Sequence, residues 1–592
     1  MTLTDTRAAP ISRRTRSIPT VTIVSILLLA LLLLLVVAPL ILLFRTSLAP
    51  PGELPFNTDV YTLENYRNAL TNPRLPTLIF NTLQYAGGTV IVGIGVAFGI
   101  AWLVERTDLP FKALIRTMMF SWMAVPPIVM AFGWILLGNP GNGIFNVLLR
   151  WLLDVKGAVI SVYSLQAMIF ITGLAIVPTA FTMIAGLLRN MDPQLESAGA
   201  VHGAGGFSVF RTVTLPLLVP GLLSVGILLF MAMVQAFDLP LVIGLTAKVP
   251  VLSTQIFLLA NSDISRPDYS LTATFGTFFL LLAAVLVLVY FRTVRMSERF
   301  RVVSGKAFRP AKRPLGVWRL PATGLVMFYF LIMILPFLVL IWTSFLPFYS
   351  VPSVEALGRL TLRNYEDVFG QSFIVRSLIN TIILVLTSAT LVMVLSVMIA
   401  WISVRSKGRL GKALEVIAFM PIAIPPVVLA IAILLIYLRT PLYGTIWIIV
   451  LAHVTAYIAF GTRTMNAALI QIHSELENAS FVCGAGWFTM LRRIVFPLLL
   501  PHILNGWLWV AGHSARDITF PLFLITASNV VAASQLYTLW GTPEIPTASA
   551  LAVILVLGLL SVVVPVQIFA SRLESGRRRK ARRASAALAA AE

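Results

Sequence analysis

The chain has 592 residues, of which 58% are hydrophobic and only 11% charged, and its mean hydropathy is +0.92. A soluble domain carries about 25% charged residues, so this composition excludes a soluble globular protein and describes a polytopic membrane protein. The formal charge of +21 sits largely in basic clusters beside apolar runs, which assigns it to topology and to anionic lipid heads and leaves no call for nucleic acid.

Apolar runs long enough to cross a hydrocarbon core about 30 Å thick as helices recur along the chain. Backbone groups in lipid must pair within their own segment, so the expected fold is all-α. In chain order the spans are expected at 21–45, 80–104, 115–137, 161–185, 217–238, 271–291, 321–343, 379–403, 414–437, 446–466, 499–521 and 549–570. The first follows Arg7, Arg13, Arg14 and Arg16. It exceeds the roughly 7–15 apolar residues of a cleaved signal and reads as a retained span. Residues 161–185 and 446–466 are the least apolar, diluted by Ser, Thr, Gly and His that contacts between helices accommodate. Twelve spans return the C-terminus to the side of the N-terminus. The basic stretches 1–20, 292–320 and 571–592 then share one side, the cytosolic one by the positive-inside rule. The lone Cys483 excludes an intrachain disulfide and falls on that same side.

The chain is internally duplicated. "TLENY" at 62–66 answers "TLRNY" at 361–365, Asn81-Thr82 answers Asn380-Thr381, Ala101-Trp102 answers Ala400-Trp401 and Pro126-Pro127 answers Pro425-Pro426, all 299 residues apart. Further on the offset falls to 281, which places 18 extra residues in the first copy, around 138–160. The expectation is two parallel six-helix repeats, 21–291 and 321–570, with 292–320 as a linker and 1–20 and 571–592 as tails. Such repeats are related by a pseudo-two-fold axis along the membrane normal.

The sharpest repeat is "GAGGFSVFRTVTLPLLVP" from Gly203 against "GAGWFTMLRRIVFPLLLP" from Gly484. Between 191–220 and 472–501, 13 of 30 residues are identical, among them Glu196/Glu477, Ala198/Ala479, Arg211/Arg492, Pro216/Pro497 and Pro220/Pro501. The pattern predicts a short helix near 193–202, a glycine turn at 203–206 and a second short helix running into the next span. Phe207 or Phe488 is expected to hold the turn, and Pro216 and Pro497 to tilt the entry into the membrane. A plain connecting loop would explain one copy. Duplicated spacing with Arg, Ser and Gly points to a docking element in each repeat, suited to two copies of one partner.

These segments resemble the coupling loop of bacterial ATP-binding cassette importer permeases: Glu-Ala-Ala, three residues, Gly, then about twelve residues to Leu-Pro. Counting back from the glycines places Ser197-Ala198-Gly199 and Asn478-Ala479-Ser480 at the triad, with Glu196 and Glu477 one position early, so neither copy keeps the triad glutamate. The resemblance implies ATPase coupling through Glu196, Ser197, Ala198, Gly203, Arg211 and Pro216 and through Glu477, Asn478, Ala479, Gly484, Arg492 and Pro497. Two fused permeases without a nucleotide-binding region look most like the ferric-iron uptake permeases, as does "FDLPLVIGL" followed by "VLSTQIF". The resemblance further implies a bacterial inner-membrane location, alternating access, two copies of a cytosolic ATP-binding subunit and an extracytoplasmic substrate-binding protein. Thiamine, a polyamine or a phosphonate are alternative cargoes on the same scaffold, and a proton- or sodium-coupled transporter is the alternative mechanism.

No G-x-x-x-x-G-K-[ST] cradle occurs. No cofactor is therefore expected on the chain itself, and ATP with Mg²⁺ belongs to the partner. No carboxylate pair marks an enzyme, and His202, His453, His473, His502 and His513 are too scattered for a local metal motif. Asp238 follows the fifth apolar run and Arg516-Asp517 the eleventh. Helix termination explains the first and a local ion pair the second. Ionisable groups at membrane depth also mark pathways, so Asp238, Arg516 and Asp517 are the candidates for a translocation path.

Overall fold

The structure, a computed structural model, describes residues 19–53, 60–191, 205–261, 267–298, 314–406, 408–562 and 564–565. The two basic tails, most of the linker, and Glu196, Ser197, Ala198, His202 and Gly203 lie outside the described residues.

The regular elements are helices. In chain order they include α1 (Val21–Ser47), α2 (Leu75–Arg106), α3 (Lys112–Trp122), α4 (Pro127–Gly138), α5 (Leu165–Arg189), α6 (Phe210–Val234), α7 (Tyr269–Thr293), α8 (Gly316–Ser344), α9 (Ser372–Arg405), α10 (Arg409–Ala423), α11 (Pro426–Tyr437), α12 (Ile446–Ile470), α13 (Glu475–Val482), α14 (Trp487–Arg516) and α15 (Ile545–Val562). Among the described residues ten of these are long and apolar enough to cross a membrane, or twelve if α3–α4 and α10–α11 each count as one span. The protein is an all-α, multi-span membrane protein.

Those two pairs correct the expectation of continuous runs at 115–137 and 414–437. They bend by 99° and 112° at Pro126-Pro127 and Pro425-Pro426. A residue before proline is pushed out of the helical region, and Pro126 (ψ 132°) and Pro425 (ψ 134°) are extended. Pro127 and Pro426 then open the next helix at a position where a missing N–H leaves nothing unpaired. Residues 139–164 follow α4 but only 438–445 follow α11, a difference of 18 residues, and the longer connection carries its own helix, Ile144–Leu153.

The arms α4 and α11 form the centre. Ile128 to Gly138 are all buried, as are Val427 to Leu435, the mark of a helix that is apolar all round because protein surrounds it. The two halves of the chain cross over one another: α1 packs on α7 and also on α10 and α11, while α8 packs on α4. At that second crossing a Cβ on Gly133 would lie 2.3 Å from the Pro336 carbonyl oxygen, so only glycine allows the approach. Lipid offers no hydrophobic drive for such contacts, which rest on close van der Waals packing. The two weakly apolar runs, as α5 and α12, are the most enclosed of the ten long helices.

Matched polar clamps recur along both copies. Asn65 Nδ2 donates to the carbonyls of Ser47 (3.4 Å) and Ala49 (2.6 Å), and Asn364 Nδ2 to those of Ser344 (2.9 Å) and Leu346 (2.7 Å). Ser47 meets the Tyr66 hydroxyl and Ser344 that of Tyr365, each at 2.7 Å. The hydroxyls of Thr82 and Thr381 accept from the N–H of Leu252 (3.0 Å) and Ala532 (2.8 Å), covering otherwise orphaned donors at helix starts.

Pro216 and Pro497 depart from expectation. Neither breaks its helix: α6 and α14 run through them. Each is preceded by one π turn, Phe210–Thr214 or Leu491–Val495, closed by Leu215 N–H to Phe210 O and by Phe496 N–H to Leu491 O. The widened turn accommodates the proline ring and its absent donor, so a bulge replaces a break.

Candidate functional site

The first site is a polar cluster at the centre of the bundle. Asp517 directly follows α14 with extended backbone. Its Oδ2 accepts from His453 Nε2 at 3.0 Å and from the Phe520 N–H at 3.1 Å, so one carboxylate caps the helix Thr519–Phe523 and holds an imidazole. His453 is fully buried on α12, between Tyr457 and the edge of Phe520. A carboxylate only accepts, which sets Nε2 as the donor.

Arg516 points elsewhere. It donates to the Met123 carbonyl, at the break between α3 and α4, and lies 2.8 Å from His513 Nε2. The last carbonyls of a helix have no internal partner and attract a cation, which explains why the end of α3 takes it. His513 Nδ1 donates to Trp509 O at 2.8 Å, leaving Nε2 to accept, and its ring stacks on Trp509, which stacks on Phe460. Arg516 and Asp517 therefore do not form the local ion pair expected of neighbours. Each is committed to a different element.

Asp238 comes from the other copy and interacts electrostatically with both Asp517 and Arg516. It is half-buried and takes no side-chain hydrogen bond or ion pair from the described residues. Ala236-Phe237-Asp238 and Ala515-Arg516-Asp517 lie 279 apart, so the two carboxylates are equivalent and Phe237 stands where the other copy has Arg516. Phe237 packs 5.7 Å from Phe523. All three sequence candidates are thus brought together. His453 and Tyr457 were missed; the signal available was an imidazole within an apolar helix, since ionisable groups there face a cavity or partner. Among the described residues no three His, Cys, Asp or Glu side chains are grouped to hold a metal ion.

The second site is 472–501. α13 ends in a Schellman motif: Ala485 N–H bonds Ser480 O at 3.1 Å and Gly484 N–H bonds Phe481 O at 3.0 Å, with Gly484 at φ +80°. This is the left-handed cap that glycine adopts without steric cost. Glu477 faces inward. It accepts from Arg405 Nε at 2.9 Å and Trp401 Nε1 at 3.1 Å, and Arg405 also donates to Ile472 O at 2.7 Å. Trp401 meets Trp487 edge to face at 5.5 Å. The turn is held by buried Trp487, not by Phe488, which is 70% exposed. Outward stand Asn478, Ala479, Gly484, Arg492 and Pro497, together with the apolar side chains of Leu476, Phe481 and Val482, the last 88% exposed. In the first copy Arg211 and Pro216 are likewise exposed on the π turn and just beyond it. There Glu105, at the end of α2, pairs with Arg116 (2.9 Å) and Arg189 (3.4 Å).

Residues 89–301 and 392–579 match the family described as binding-protein-dependent transport system inner membrane component. The chain is 26% identical over 533 residues to a ferric transport system permease protein of Actinobacillus pleuropneumoniae, covering 86% of this chain and 73% of that one. It is 23% identical over 475 residues to an Fe(3+)-transport system permease protein of Haemophilus influenzae, covering 78% and 84%. It is also 27% identical over 204 residues to a spermidine/putrescine transport system permease protein of Haemophilus influenzae, covering 34% and 79%.

Proposed function

The chain belongs to the family of binding-protein-dependent transport system inner membrane components, and from that premise we propose that it carries ferric iron by alternating access between two six-span halves. It is a multi-pass permease of an ABC-type importer and not itself catalytic; ATP hydrolysis falls to a separate ATPase by family convention. The finer reading is as follows. The halves are 21–291 and 321–570, joined by 292–320, with tails 1–20 and 571–592 in the cytosol. The segments 191–220 and 472–501 each dock one copy of a cytosolic ATP-binding subunit that uses ATP and Mg²⁺. A substrate-binding protein delivers cargo on the outer face.

The observation that carries the docking reading is the outward face of α13. Exposed apolar side chains are grouped there on a turn fixed by Gly484 and by the buried Glu477–Arg405 pair, and apolar surface beyond the spans marks a protein contact. Glu477 is a positioning residue in this scheme, while Asn478 and Ala479 face the partner. Closure of the ATPase dimer would press on α13 and pass through the π turn into α14, whose far end carries Arg516 and Asp517.

Ferric iron is favoured over a polyamine because the ferric relatives align with most of the chain and the polyamine relative with about a third. Carboxylate oxygens suit a hard cation, and Asp238 and Asp517 supply them on either side of the path. Arg516 beside them keeps the site shallow, as a conduit requires: attractive enough to enter and weak enough to leave.

The test is uptake of labelled cargo by vesicles holding the permease and its ATPase, supplied with candidate binding proteins. ATP-dependent Fe³⁺ uptake that needs a binding protein is expected. Thiamine, polyamine or phosphonate uptake without Fe³⁺ uptake overturns the cargo, and transport driven by an ion gradient without ATP overturns the mechanism.

A further inference from the structure

A groove of about 510 Å³ lies between α9 and α14, lined by Val397, Trp487, Leu491, Ile503 and Trp507, with Arg492 as its one charged lining residue. That volume is within the roughly 300–1,000 Å³ of ligand pockets. From Arg492 to Trp507 it follows α14 for roughly 20 Å at the rise of a helix, somewhat more than the hydrocarbon depth of one leaflet, about 15 Å.

The first copy fills the matching place with larger side chains. Phe98 and Phe210 stand where the second copy has Val397 and Leu491, and with Trp102 they form a continuous aromatic cluster, its ring centroids 5.0 to 6.3 Å apart. Gly226 stands where the second copy has Trp507, and a Cβ there would already touch Ile94 at 3.4 Å. Trp507 instead reaches across to Thr390 on α9, donating from Nε1 at 3.1 Å, and forms one wall of the groove. Two phenylalanines exchanged for smaller side chains leave the space that the aromatic cluster occupies in the first copy, and Trp507 walls it.

We infer that this groove binds one acyl chain of an anionic phospholipid, with its headgroup on Arg492 and the neighbouring Arg493. The inference rests on the reading of 472–501 as cytosolic. The walls are membrane helices, the lining is apolar for the depth of a leaflet, and the single charge lies at one end. Arg492 and Arg493 are both exposed, and neither forms an ion pair among the described residues. An apolar tail with an anion at its interfacial end is the complement of that surface. The lipid would lie against Trp487 and the π turn, so it bears on one coupling element and not the other.

Native mass spectrometry of the detergent-purified permease–ATPase complex, offered equal phosphatidylglycerol and phosphatidylcholine, tests this. One retained phosphatidylglycerol per permease is expected. Val397→Phe with Leu491→Phe, which installs the first copy's side chains, should abolish retention. Arg492→Gln should lower the preference for phosphatidylglycerol on the order of fivefold, the value of one interfacial cation. If the double variant fails to assemble, Arg492→Gln carries the test alone, being a surface change. Equal retention of both lipids by the unsubstituted protein, unaltered preference in Arg492→Gln, or a mass of two permeases in place of bound lipid overturns the proposal. Retention is also read on permease molecules that have shed the ATPase, so a failure of docking is seen separately from a failure of lipid binding.

Discussion

Asn65 and Asn364 hold corresponding carbonyls in their own copies, whereas Phe237 and Arg516, also at equivalent places, share no chemistry. The first pair fixes backbone to backbone near the ends of the first span of each copy, where any change loosens that copy. The second pair projects into the space between copies, where each side chain sees the other copy and need not be alike. The duplication has thus been kept where it holds the scaffold and lost where side chains meet across the centre. A contrast between two non-equivalent ion pairs separates Glu477, sealed between Trp401 and Arg405, from Glu105, whose partners Arg116 and Arg189 are 37% and 51% exposed in their side chains.

That last contrast yields the largest expected effect. Glu477→Ala leaves Arg405 half-sealed without its carboxylate, and breaking such a pair costs about 3–5 kcal/mol. Amide exchange across 475–490 should accelerate at least a hundredfold, on the order of the lower end of that range. Glu105→Ala releases arginines that water can reach and should cost about 1 kcal/mol or less. Equal effects would erase the distinction between a sealed ion pair and a water-accessible one.

Arg516→Phe makes the centre of the second copy resemble the first. ATP-dependent uptake should fall on the order of tenfold, equivalent to about 1.4 kcal/mol at the barrier, with assembly on the ATPase retained. Unchanged uptake would remove Arg516 from the path. Asp517→Ala and Asp238→Ala separate the equivalent carboxylates. The first loses a helix cap worth about 1 kcal/mol and should lower the melting temperature as well as uptake, and the second should lower uptake alone. A matching drop in melting temperature for both would contradict the assignment of the cap to Asp517. The smallest effect is a difference: Asn65→Ala and Asn364→Ala should each destabilise by about 1–3 kcal/mol, and their two melting shifts should agree closely. A large disparity would show that the clamps are not equivalent.

Much of this was legible in the sequence because it depends on residue type and spacing. Apolar run length located the spans, and the fixed offsets of 299 and 281 located the duplication and its 18-residue insertion. What was not legible depended on where side chains point. Pro126-Pro127 and Pro425-Pro426 were visible as a repeat, but apolarity continues through them, so hydropathy could not register a turn of about a right angle. Pro216 and Pro497 were expected to tilt a helix, and the π turn that absorbs them has no residue signature. Arg516 and Asp517 are neighbours in sequence, yet the end of one helix and the start of another send them to Met123 and His453. The choice of Trp487 over Phe488 at the turn follows from Trp401 across the interface, a partner 86 positions away in the chain.

The central claim, that 472–501 meets the ATP-binding subunit on the cytosolic face, has a probe already in place. Cys483 is the chain's one cysteine, exposed, and adjacent to Gly484. In membrane vesicles containing the assembled importer, a short thiol-directed cross-linker should join Cys483 to the ATP-binding subunit. After the ATPase is stripped, a membrane-impermeant maleimide should label Cys483 from the cytosolic side only. Labelling from the outer side, or no cross-link to a subunit that remains bound, would contradict the account.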